Sequence, residues 1–131
     1  MWVAALRSGE FKQAQGGLKS SEGYCCLGVL CELHRRETVA GEWSGDASLW
    51  LTYGSRPDDP DGNAYGLPKI VQKWAGLETG DPRLGSRDED DEGGGGLPDT
   101  LTASGCNDDV CETFKQIADR IEKRQRRRRL K

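Results

Sequence analysis

Residues 23–34 read GYCCLGVLCELH and put three of the chain's five cysteines and its only histidine within twelve positions. Such residues serve a nucleophilic thiolate, a metal centre, or simply the buried face of a helix. A catalytic thiol must ionise, and Cys25 and Cys26 stand where a helix begins, so the unpaired amides and the helix dipole favour the thiolate there. The partner base is the difficulty. His34 lies eight residues beyond Cys26 on the same helix, about 12 Å away at ~1.5 Å rise per residue, out of reach for a dyad within one chain.

A metal site would take Cys31 and His34, spaced i, i+3, with Cys106 and Cys111 as further ligands. Cys-x4-Cys and a helical Cys-x2-His both fall outside the tight Cys-x2-Cys knuckle that marks zinc sites. The least demanding reading treats cysteine as a small apolar residue, among the most buried types when free, with Gly28 letting another backbone approach closely. On that reading the chain needs no cofactor and no metal. A thiol- or metal-dependent hydrolase remains an alternative class, although Glu10, Glu22, Asp46 and Asp61 cannot be assembled into a carboxylate pair from their positions in the sequence.

The elements that must position these residues follow from periodicity. Trp2, Ala5 and Leu6 share a helical face that stops at Gly9. EFKQAQGGLKSSEGY, broken by Gly16–Gly17 and Ser20–Ser21, predicts a small hairpin. Cys26, Val29, Leu30 and Leu33 follow i, i+3, i+4, i+7 and predict an amphipathic helix, with Glu32, Arg35 and Arg36 turned elsewhere. VAGEWSGDASLWLTYGS and NAYGLP read as short strands around the turn-forming PDDPDGN. In LPKIVQKWAGL, Pro68 suits a first helical turn and Gly76 an end, with Ile70, Val71, Trp74 and Leu77 on one face. Thr113-Phe114-Lys115-Gln116 has the spacing of a capping box ahead of the stripe Phe114, Ile117, Ile121. The whole predicts a small α+β domain over 1–123, about four helices packed on short antiparallel strands.

Composition limits what this domain can be. Eighteen glycines, 31% charged residues and only 34% apolar residues confine the core to a few well-patterned segments. Residues 80–100 include five acids in the six positions 87–92 and then four glycines. Such a stretch cannot recover its ordering entropy by burial, so it is expected to be a mobile loop. No run approaches the eighteen or so apolar residues of a membrane span, and the N-terminal residues lack the pattern of a secretory signal. An odd cysteine count with an adjacent pair suits a reducing compartment better than a disulfide framework. A soluble cytoplasmic protein is expected.

Charge divides the chain in two. Residues 120–131 hold eight basic residues and one acid, while the other 119 carry 11 basic and 21 acidic residues, a net of −10. The tail 124–131, with Arg124, Arg126, Arg127, Arg128 and Arg129, is either a solvated, frayed end able to fold back on acids 88–92 or an arm that tracks nucleic-acid phosphates without base specificity. No zinc-finger, KH or aromatic RNA-binding signature accompanies it.

The stretches ALRSGEFKQ, YCCLGVLCEL, LPKIVQKWAGL and TFKQIADRIE together resemble a family of small phage and prophage proteins without an assigned function. The similarity covers most of the chain outside the acidic insert 87–96 and the arginine-rich end, and it departs at Cys106, where the family carries an apolar residue before Asn-Asp. The resemblance implies a viral accessory protein in the cytoplasm of an infected bacterium, and it brings with it no known activity or catalytic residues. Arg7, Ser8, Gln13, Tyr24, Asn107 and Asp108 are the candidate ligand-binding residues, because they fall in loops or at helix ends. The competing structural reading has Ser8 and Gly9 ending a helix and Asn107–Asp108 forming an Asx turn. The expected partner is a host protein or a nucleotide-like small molecule such as a defence signal, with nonspecific nucleic acid at the tail as the alternative.

Overall fold

The computed structural model describes residues 2–46, 48–56, 59–77, 79–82, 102–108 and 112–130, with the last seven of these as backbone only. Most of the expected mobile segment 80–100, Cys111, and the side chains of Arg124 and Arg126–Arg129 lie outside the described residues.

The described elements are α1 (Trp2–Arg7), β1 (Lys19–Ser20), β2 (Gly23–Tyr24), α2 (Cys26–Thr38), β3 (Glu42–Ser44), β4 (Thr52–Gly54), α3 (Lys69–Ala75), α4 (Ala103–Asp108) and α5 (Phe114–Leu130). This is an α+β arrangement with two separate two-stranded antiparallel sheets, β1–β2 and β3–β4. Register pairs Lys19 with Tyr24 in the first and Trp43 with Tyr53 in the second. NAYGLP, expected as a strand, contributes only an isolated bridge between Asn63 and Tyr53. Among the described residues, no helix is long and apolar enough to cross a membrane.

Helix α1 buries Trp2 and Leu6, one turn apart, and the Trp2 indole donates to the Cys26 carbonyl at 2.8 Å. Its end is fixed by the Ser8 hydroxyl donating to the Ala5 carbonyl at 2.7 Å and by Gly9 at φ 78°. The Ser8–Gly9 helix stop therefore holds. Helix α2 is capped by Cys25, whose sulfur accepts from the Gly28 amide at 3.4 Å. Gly28 is required by packing: a Cβ there would stand 1.8 Å from the Leu18 carbonyl oxygen. The opposite end is unusual, because Val39, 86% exposed, adopts the left-handed conformation at φ 54°.

Helix α3 follows Pro68 and ends at Gly76 as expected. Helix α5 opens on the capping box, with the Thr113 amide donating to Gln116 Oε1 at 2.8 Å and the Gln116 amide donating to Thr113 Oγ1 at 3.3 Å. The five described helices exceed the four expected because Asn107 and Asp108 end a short helix, α4, in place of the Asx turn. Burial of Ala103 and Cys106 overrides the turn preference of Ser, Gly, Asn and Asp in this stretch. The chain enters α4 beside the point where it left α3's connection: the Ala103 amide donates to the Pro82 carbonyl at 2.7 Å, and Asp81 binds both the amide and the hydroxyl of Ser104.

One buried cluster joins these elements, with Leu18, Leu27, Val29, Tyr53, Val71 and Ile117 at its centre and the cysteines among them.

Candidate functional site

The thiols are the strongest chemical candidates in the sequence. Cys25, Cys26, Cys31 and Cys106 are free and buried. Burial pushes the Cys25 and Cys106 thiols up to about 12 and those of Cys26 and Cys31 well above the usual thiol range. The Cys26 sulfhydryl is in addition a donor, to the Ala103 carbonyl at 3.3 Å. The helix N-terminus that would favour a thiolate is outweighed by loss of water, so these sulfurs are protonated packing groups.

His34 does not join Cys31. Its Nδ1 lies 2.7 Å from the Tyr53 hydroxyl, and burial lowers its pKa. Among the described residues, no group of three or more His, Cys, Asp or Glu side chains is arranged to hold a metal ion. The fourth ligand of the alternative set, Cys111, lies outside the described residues.

The six candidate ligand-binding residues separate into groups. Gln13, Asn107 and Asp108 come together: Gln13 Nε2 donates to Asn107 Oδ1 at 2.8 Å and to the Glu112 carbonyl at 2.7 Å. Asn107 Nδ2 donates to the Ala14 carbonyl at 2.9 Å and to Asp108 Oδ1 at 2.7 Å, and that same oxygen accepts from the Gly16 amide at 3.0 Å. Asn107 is fully buried, where an amide without partners would be costly, so this network fastens segment 13–16 to α4. Arg7 lies apart and binds α5 through Asp119 at 2.6 Å and Glu122 at 2.7 Å. Ser8 is the helix stop described above.

Tyr24 belongs to a different assembly. From Phe11 the rings run through Tyr24 (centroids 5.3 Å), Trp43 (6.3 Å), Tyr53 (4.8 Å) and His34 (5.7 Å) to Trp74 (5.3 Å). The outer part of this row carries cations. Lys19 Nζ stands 4.9 Å from the Tyr24 centroid and 5.4 Å from that of Trp43, and Arg36 lies 5.1 Å from the Phe11 ring. β1 and β2 supply Lys19 and Tyr24 as cross-strand neighbours, and β3 brings Trp43.

Glu32 organises this face from beneath. It is 3% exposed and receives Arg35 Nε at 2.8 Å and Nη2 at 2.7 Å, Arg36 Nε at 3.0 Å and Trp43 Nε1 at 3.1 Å. Burial alone would raise the Glu32 pKa, but the donors from Arg35, Trp43 and Arg36 overcome it and hold the group at about 2. Arg36 also reaches Glu10 at 2.7 Å. Glu32, Arg35 and Arg36 were visible in sequence as an i, i+3, i+4 set on the polar side of a helix. Their junction with Trp43, on whose ring Lys19 rests, was not, because it depends on how the hairpins fold beside α2.

No curated protein and no solved structure matches the chain significantly. The model of a domain of unknown function, DUF8296, matches residues 1–125, a span that takes in the acidic insert and stops before Arg126–Arg129. The chain therefore belongs to the DUF8296 family.

Proposed function

We propose that this chain is a non-enzymatic accessory protein of phage or prophage origin that acts in the cytoplasm of an infected bacterium by binding a host component. The favoured version is stoichiometric capture of a nucleotide-like defence signal. The motif similarity over the ordered helices supports the viral origin. One observation carries the choice of binding over turnover: the described thiols and the single histidine, the groups best suited to nucleophilic or acid–base work at neutral pH, are sealed in the interior and uncharged.

The test is to incubate the purified protein with a panel of mono-, di- and cyclic oligonucleotides, separate bound from free, denature, and analyse the released ligand. Recovery of an unchanged nucleotide at up to one equivalent per chain is the expected result. Conversion of many equivalents would establish an enzyme, and retention of none would end the capture version.

A second reading rests on the C-terminus. The α5 backbone stays helical through Leu130, which sets Arg124 and Arg126–Arg129 along one helix continuous with the folded domain. Such an arm suits nonspecific nucleic-acid phosphates, whose binding weakens steeply with salt. Retention on DNA or RNA at two salt concentrations, with and without residues 124–131, decides it: behaviour independent of the tail eliminates this reading.

A further inference from the structure

We infer that the face built by Lys19, Tyr24, Arg35 and Trp43 is the ligand site, and that it takes a nucleotide with its base on the aromatic rings and its phosphate between Lys19 and Arg35. The inference rests on the capture reading and assigns it a place. It moves the site away from Arg7, Gln13, Asn107 and Asp108, whose polar groups bind other parts of the fold.

Three observations lead there. The first is an unpaired cation: among the described residues Lys19 has no carboxylate partner, and its ammonium rests on two rings instead. A phosphate offers that ammonium a full charge where the rings offer only a quadrupole, so an arriving ligand can draw it aside and leave ring surface for a base. The second is preorganisation. The buried Glu32 carboxylate grips Arg35 through Nε and Nη2, which orients the guanidinium and leaves Nη1 without a bond to that carboxylate. The third is composition: half-buried Tyr24 and Trp43 combine apolar ring surface with fixed positions, the pairing that stacks bases in a sequence-tolerant way.

Charge balance is consistent with a single anionic ligand. Lys19, Arg35 and Arg36 bring three positive charges, with Glu32 and Glu10 bound to the two arginines, to a body that is strongly acidic. Repulsion from the acidic body limits the site to compact anions held by direct contacts, which fits a nucleotide better than a long polyanion.

The experiment uses the full chain and titration calorimetry with adenine and guanine mono- and cyclic dinucleotides, with inorganic phosphate and the free nucleosides as separate probes, on wild type, Lys19→Met and Arg35→Lys. Thermal unfolding of each variant checks that it is folded, and Lys19→Met serves if Arg35→Lys is not. The inference expects wild type to bind a nucleotide more tightly than phosphate or nucleoside alone, and Lys19→Met to weaken it roughly tenfold or more. Nucleotide binding equal in wild type and Lys19→Met would overturn the site while leaving the capture reading intact. Absence of binding by wild type to every nucleotide would overturn both.

Discussion

The imidazole of His34 and the hydroxyl of Tyr53 meet at 2.7 Å inside the core, and Trp74 packs edge-on to the imidazole with ring centroids 5.3 Å apart. Backbone shape makes room for the pair: a Cβ on Gly41 would fall 2.1 Å from that hydroxyl oxygen. The pair is therefore fixed from α2, β4 and the segment that follows α2.

Burial lowers the His34 pKa below its ordinary 6.5, so below that pH the unfolded chain binds a proton that the folded chain resists. Stability from this group is complete above about pH 6.5 and is lost as pH falls from there through the lowered folded value. Melting temperature should drop between pH 7.5 and 5.5, and less so in His34→Gln. An identical drop in both proteins would show that other groups are responsible.

Glu32 has the opposite sign. Its folded pKa of about 2 lies below the ordinary carboxylate value of 4.5, so its contribution is full above the unfolded value and vanishes as pH falls through the folded one. With the guanidinium partners 44% exposed, solvent screening reduces the gain to on the order of 2 kcal/mol. Glu32→Gln should lose about that much in urea unfolding at pH 7, and its deficit should shrink towards pH 2. A deficit that does not change with pH would mean that packing, and not charge, is what Glu32 supplies.

Val39 stores strain with no burial to compensate it, since a branched side chain at φ 54° is disfavoured and this one is 86% exposed. Replacing it with glycine should raise stability by about 1 kcal/mol, read as a higher denaturation midpoint with an unchanged slope. A lower midpoint would show that the side chain makes contacts worth more than the strain.

Thiol chemistry gives an independent check of the core. In native buffer Cys25, Cys26, Cys31 and Cys106 should remain unmodified by a thiol reagent over times at which unfolded protein reacts completely, with mass-spectrometric mapping to identify each position. Rapid native labelling of Cys25 or Cys26 would restore the nucleophile reading.

The helices α2, α3 and α5 were legible because each carries a 3.6-residue apolar period, to which α3 adds Pro68 and Gly76 at its ends and α5 the reciprocal Thr113–Gln116 bonds. The close approach at Gly28 was legible too, although its partner, Leu18, was not. Helix α4 escaped because its residues prefer turns locally and are helical only as packed against α2 and α5. The same limit hid the role of Asn107, whose bonds reach Gln13 and Ala14 across more than ninety positions. Tyr24 stood among the six candidate ligand-binding residues read from the sequence, but its neighbours Lys19 and Trp43 come from two hairpins whose docking no local pattern encodes.

The bond from the Ala103 amide to the Pro82 carbonyl, reinforced by Asp81 on Ser104, brings the two edges of the acidic insert to a common gate. Closing a longer flexible segment between two fixed posts adds only about 0.6 kcal/mol of closure entropy for each doubling of its length. That makes this doorway the natural place for kindred chains to differ in size, and a ready graft point for a fluorophore tag or an affinity handle.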